Sequence, residues 1–230
     1  MHRPSHRIER SANRTSRGLL EGETIVIRLA CGLSAREERA HIESLLRRMG
    51  KLLLRERGKT VIDPFRPLLE GETSLRLRLA SGREYTVDLL SGNKTRAKRT
   101  EDGWRIDVGP GLHRRTLHRL LWRLLGERKI TELRRAVEAV NAETLRVPIR
   151  SVRTAFASSQ WGSCSARGDI MLNTCLLFLP PPLLRYVIVH ELAHRKVRNH
   201  SRAYWKEVER TYPVFEDARR MLRQYRLHPL

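Results

Sequence analysis

Three histidines and a glutamate in the last third of the chain have the types and spacing to hold and use a metal ion. Leu183–Asn199 reads LLRYVIVHELAHRKVRN. His190 and His194 stand four apart, one turn of a helix, so both rings leave the same face. Two imidazoles placed so can reach one ion at roughly 2.0–2.1 Å. Glu191 is turned by roughly 100° from His190. That puts it beside an ion without making it a ligand, the place of a general base that takes a proton from water. A catalytic zinc takes three protein ligands and keeps one position open. His200 is the third candidate. Asn199 suits the end of a helix and Ser201 the cap of the next, so His200 falls at a corner from which its ring can point back. The pattern H-E-x-x-H-x5-H lacks the glycine and the spacing of the metzincins.

The surroundings of the motif matter as much as its spacing. Pro182 suits a first helical turn, where its missing N–H does no harm. Leu183, Leu184, Tyr186, Val187, Ile188, Val189, Leu192 and Ala193 leave little polar surface, so this helix is expected to be buried. Burying His190, Glu191 and His194 is unfavourable unless something satisfies them, and a metal would. A chance motif on a solvated helix would lack that context. A metal site without catalysis would leave Glu191 unexplained.

The remaining elements must position this helix. Residues 1–18 are polar, Arg-rich and aperiodic, and read as a mobile basic tail. Thr24–Ala30 (TIVIRLA) reads as a strand. Ser34 and Glu37 form a capping box for a helix carrying Ile42, Leu45, Leu46, Met49 and Leu53. The hexamer LLEGET occurs twice, at Leu19–Thr24 and Leu68–Thr73, each time read as a turn into a strand. Leu75–Leu79 and Tyr85–Leu89 form a hairpin across Ser81-Gly82. Lys94–Arg99 reads as a basic loop and Trp104–Val108 as a short strand. Leu112 to about Asn141 is helical in pattern, with Gly126 as a point of division and with His113 and His118 on its solvated face. The expected organisation is a tail (1–18), a mixed strand/helix N-terminal region (19–110), a helical connector (111–144) and a C-terminal domain (145–230).

Composition bounds the function. Apolar residues make up 40% of the 230, enough for a real core, and the net charge is +21. A polyanion such as nucleic acid is one partner this charge suggests. The 39 Arg against 7 Lys is a skew that codon composition alone can produce, and the charge is spread along the chain. The longest apolar run ends at Pro180, far short of the roughly 18 residues of a membrane span, so no membrane partner is expected. The basic start has no apolar segment behind it to make a secretory signal. Cys31, Cys164 and Cys175 are too few and scattered for a disulfide framework. A cytoplasmic protein is the expectation.

Several short motifs occur in order: Trp161-Gly162-Ser163-Cys164, Asp169–Asn173 (DIMLN), Tyr186–His194 (YVIVHELAH), Asn199-His200-Ser201 and Tyr204-Trp205. Together they resemble the YgjP-like metallopeptidase family, a relative of the SprT-like and WLM zincins. The resemblance covers about residues 145–225. It implies an α+β fold with a compact zincin-like C-terminal domain, a short sheet packed on the H-E-x-x-H helix, preceded by the mixed β-hairpin/helix region. Gly168–Asn173 would be a strand of that sheet, and an extended peptide would add to the sheet's edge. Trp161, Cys164, Asn173 and Tyr204 are the candidates to border the substrate cleft. Cys164 has a second reading as a fourth metal ligand and a third as a small packing residue beneath the helix.

The expected activity is hydrolysis of a polypeptide by a water activated by Glu191 and one Zn2+ per chain, held by His190, His194 and His200. Two rivals share the site. One is a nucleic-acid-associated protease of the SprT-like kind, using Lys94–Arg99 and the Arg-rich tail. The other is a non-catalytic, zinc-stabilised binding module.

Overall fold

The structure, a computed structural model, describes residues 5–21 and 23–227. The chain divides into two units, Met1–Thr60 and Val61–Leu230.

The first unit contains β1 (His6–Arg10), β2 (Arg17–Glu21), β3 (Thr24–Leu29) and α1 (Ala35–Arg57). The strand order is β1-β3-β2, with β1 parallel and β2 antiparallel to β3. Ile25, Ile27 and Leu29 of β3 pack on Leu45 and Met49 of α1. α1 begins as its sequence predicts. The Ser34 side chain accepts from the Glu37 amide, and the Glu37 carboxylate accepts from the Ser34 amide at 2.8 Å. Part of the segment read as a tail is strand instead. β1 carries charge rather than apolar alternation, and ion pairs across the sheet satisfy it: Arg7 with Glu21, and Arg28 with Glu9. Glu9 and Arg28 stand directly opposite on the neighbouring strands β1 and β3, and Arg7 reaches past β3 to Glu21 of β2. Such opposite charges stabilise a sheet that a hydrophobic pattern does not announce. Residues 1–4 of the expected tail lie outside the described residues.

β4 (Thr60–Ile62) begins at the last residue of the first unit, and in the second follow α2 (Arg66–Glu70), β5 (Ser74–Arg78), β6 (Glu84–Ser91), β7 (Arg96–Arg99), β8 (Gly103–Val108) and α3 (Arg114–Glu143). Then come β9 (Ser151–Ala155), β10 (Gly162–Cys164), β11 (Asp169–Asn173), a 3-10 turn over Thr174–Phe178, α4 (Pro181–Ala193), α5 (Arg202–Thr211), α6 (Phe215–Leu222) and β12 (Tyr225–Leu227). One sheet has the order β5-β6-β8-β7. The predicted hairpin is the antiparallel pair β5–β6. The basic loop is largely β7, an edge strand antiparallel to β8 with all four residues exposed. Basic side chains on an edge strand discourage further strand pairing.

The second sheet positions the motif helix. Its order is β10-β11-β9, so β10 is an edge. Pairing sets Gly162 opposite Leu172 and Leu172 beside Thr154, which puts all three on one face. On that face Gly162 meets Glu191 of α4, and Thr154 meets Gly126 of α3. Both helices therefore cover the same side of the sheet, a two-layer α+β arrangement. α3 is one 30-residue helix and does not divide at Gly126. A Cβ there would lie 2.6 Å from Thr154 Oγ1, so the glycine serves close helix–sheet packing. His118 is buried rather than solvated. Trp122 Nε1 donates to its Nε2 at 2.9 Å, and Asp63 Oδ1 lies 2.9 Å from the same nitrogen. Among the described residues no helix is long and apolar enough to cross a membrane.

Candidate metal centre

α4 is buried along most of its length, with Leu183, Ile188, Val189, Leu192 and Ala193 almost wholly covered. Its regular turns end at Ala193, earlier than the sequence reading placed the end at Asn199. The Arg195 amide bonds the Leu192 carbonyl, and those of Lys196 and Val197 bond Ala193, which closes the helix in a tight turn. Among the described residues the only non-glycine backbone at positive φ is Arg146, so Asn199 does not form a left-handed cap. Ser201 stands at the cap position of α5 but makes no side-chain cap bond. His194 ends α4, and His200 lies in the connection to α5, the corner expected of it.

The three imidazoles converge. One ring nitrogen from each of His190, His194 and His200 lies within 4.8 Å of the others. His190 Nε2 and His200 Nε2 are 3.2 Å apart. His194 Nδ1 lies 3.2 Å from the Val197 carbonyl. A carbonyl only accepts, so Nδ1 carries the proton and Nε2 keeps its lone pair for an ion. Burial, with the neighbouring histidines and Arg219, pushes the His190 imidazole down to about 3. Burial also lowers His194. Neutral imidazole is the form that binds metal. A single ion could take one ring nitrogen from each of the three in place of the His190–His200 contact, so these residues fit one divalent cation of the kind imidazole favours.

Glu191 is buried beside them. Burial alone pushes its carboxyl up to about 8. Among the described residues no group donates a hydrogen bond to it. Its side chain lies against Gly162 of the edge strand, where an added Cβ would be 2.7 Å from Oε1. Sequence reasoning placed Gly162 in a motif but gave it no role. The signal was its position, in a strand otherwise set to carry side chains.

The remaining predicted site residues take different places. Cys164 is partly buried, shares the Gly162 face of β10 and packs against the core. Its sulfur is not among the converging atoms. Burial and then Glu191 raise its thiol pKa. Trp161 is half-buried, and its carbonyl accepts from the Asn173 amide. Asn173 and Tyr204 are fully buried and do not line an open cleft. The Asn173 amide donates to the Ala157 and Gln160 carbonyls at 2.8 and 2.9 Å and accepts from the Cys175 amide. It thus pins the segment that leads into β10. Two further residues support the site through contacts that spacing does not reveal. Trp205 stacks on His200 at 5.7 Å, with Arg219 4.4 Å above its ring. Arg195 donates to the Pro148 and Ala166 carbonyls and so fastens the β10–β11 turn.

Residues 21–225 match the family model described as YgjP-like, metallopeptidase domain. The chain belongs to the YgjP-like metallopeptidase-domain family. The match takes in most of both units, well beyond the C-terminal motifs. The UTP pyrophosphatase of Escherichia coli (strain K12) is 31% identical over 102 residues, which are 42% of the YgjP-like chain and 61% of that protein. The chain therefore spans less than two thirds of this curated relative. Among solved structures, the metallopeptidase zymogen of Pyrococcus abyssi abylysin is 24% identical with a TM-score of 0.37, covering 42% of this chain and 99% of its own. That of Methanocaldococcus jannaschii jannalysin is 19% identical with a TM-score of 0.36, covering 40% and 94%.

Proposed function

We propose that the YgjP-like chain is a zinc-dependent hydrolase that cleaves peptide bonds in the cytoplasm, with His190, His194 and His200 holding one zinc and Glu191 as general base. The observation that supports this reading is the apposition of Glu191 with edge strand β10, next to three convergent imidazoles. A zinc ion held by these three imidazoles would supply Lewis acidity, lowering the pKa of water there towards about 7. Glu191 accepts a proton at a carboxylate oxygen from the attacking water and returns it to the leaving nitrogen. The free edge of β10 offers backbone groups to an extended peptide, which would lie along it as an added strand with a carbonyl close to Glu191. The three free cysteines agree with a reducing compartment.

The test is release of new amino termini from an unfolded protein by the zinc-loaded wild type and by Glu191→Gln. Release by the wild type alone supports the reading. Equal release by both would remove Glu191 from the chemistry.

A second reading is favoured by the relative named UTP pyrophosphatase. The same water and base can attack a phosphoanhydride. The charge of +21, with Arg195 and Arg198 close enough to be felt at Cys164, would then draw in the substrate's phosphates. Pyrophosphate released from UTP, with no new amino termini from protein, would select this reading over the first.

A further inference from the structure

Tyr204 sits four residues after His200, in the first turns of α5, and is fully buried. Its hydroxyl donates to the His190 carbonyl at 2.9 Å. That carbonyl belongs to the last turn of α4, where helical carbonyls lose their regular partners. Its ring centroid lies 4.7 Å from His194, in a stacked arrangement, and 4.8 Å from His200, edge on. It lies 5.4 Å from His190. These separations are within the range of favourable aromatic pairing. Tyr204 thus contacts all three imidazoles, and its hydrogen bond ties the α5 that follows His200 to the α4 that carries the other two. A tyrosine placed only to fill space would need no donor there.

We propose that Tyr204 is a positioning residue that presets the metal centre, holding the two ligands of α4 and the ligand of the corner at the spacing of one ion. The proposal rests on the reading that the three histidines bind metal. The hydroxyl carries the part that packing cannot. It fixes the backbone of a ligand, and through it the direction of the His190 ring, whose own Nδ1 is buried without a partner. With no bond on Nδ1 to orient that imidazole, the backbone bond from Tyr204 supplies the constraint that outer partners usually give directly.

The experiment uses full-length metal-free protein, titrated with Co2+ and followed by its visible absorption, with Zn2+ affinity measured by chelator competition. Wild type is compared with Tyr204→Phe, which keeps the ring, and with 4-aminophenylalanine at position 204, which restores a donor. Far-UV circular dichroism of each metal-free protein checks the fold. Wild type should bind one equivalent. Tyr204→Phe should bind roughly 10–100-fold more weakly, with an altered cobalt spectrum, and the amino analogue should recover both. Equal affinity and an unchanged spectrum in Tyr204→Phe would overturn the proposal while leaving the metal centre intact. Failure of the wild type to bind either ion would instead remove the metal centre, and the proposal with it.

Discussion

Gly162 and Glu191 touch so closely that no side chain fits between them: a Cβ on Gly162 would stand 2.7 Å from Oε1 and 2.8 Å from Cγ of Glu191. The edge strand and the proposed base are therefore set against each other by the absence of an atom. Gly162→Ala must push the carboxylate away. Misplacement by about 1 Å can cost about 10²-fold in rate, and a loss of that order in kcat is expected. The three histidines are untouched, so zinc content should stay at the wild-type level. Steady-state kinetics beside metal analysis checks both halves.

Glu191→Gln keeps the shape of the side chain and removes its ability to take a proton. Hydrolysis should fall by about 10²–10⁴-fold, the usual contribution of a general base, with zinc retained. A variant that loses its zinc as well would point to a structural part for Glu191.

The same residue gives a pH dependence in the metal-free protein. Its folded pKa is raised to about 8 from 4.5. A raised carboxyl pKa contributes stability that is complete below the unfolded value and is lost as pH rises through the folded one. Metal-free wild type should therefore weaken from about pH 5 to pH 9 relative to Glu191→Gln, which has no such group to ionise. Thermal midpoints of the two metal-free proteins should converge near pH 4.5 and separate by several degrees near pH 9. Parallel curves would contradict the buried, uncompensated carboxyl.

Asn173 is fully buried and makes three hydrogen bonds to backbone groups. Asn173→Ala leaves those groups unsatisfied, at about 1–3 kcal/mol for each one that water cannot reach. Stability to urea should fall by about 2–4 kcal/mol. The metal ligands lie on other elements, so zinc stoichiometry should not change.

Gly126→Val places a branched side chain where a Cβ alone meets Thr154 Oγ1 at 2.6 Å and Thr174 Oγ1 at 3.2 Å. Overpacking between α3 and the sheet should destabilise by about 1–3 kcal/mol or more. A neutral outcome in urea unfolding would mean that α3 and β9 can separate without loss.

The sequence announced some features and concealed others for identifiable reasons. The capping box at Ser34 and Glu37 is local, so it was legible, as were the apolar run of β3 and the hairpin of β5 and β6, with Leu and Arg alternating in β5. The convergence of His190, His194 and His200 was legible because helical periodicity and a corner fix it. The two copies of LLEGET were legible in part: each leads into a strand, β3 and β5, but their first halves differ. The first runs from the end of β2 to the start of β3, whereas in the second Leu68 to Glu70 close α2, which Gly71 ends at φ 118°. Identical residues take two structures because Arg66 and Pro67 start a helix before one copy, whereas Arg17 and Gly18 start β2 before the other. Gly126 looked like a helix breaker, and His118 looked solvated. Both were misread because their partners, Thr154 and Asp63, lie far away in the chain. Tyr204 was visible as a motif residue, but its hydrogen bond to His190 depends on how α5 packs on α4.

The central claim is that three histidines hold one ion for Glu191 to work beside. The most direct measurement is zinc content by mass spectrometry after dialysis, on wild type and His200→Ala, with far-UV circular dichroism to confirm that both are folded. About one zinc per wild-type chain, and its loss from His200→Ala, is the expected result for a three-ligand site. Undiminished zinc in His200→Ala, or hydrolysis by a wild-type chain that carries none, would contradict it.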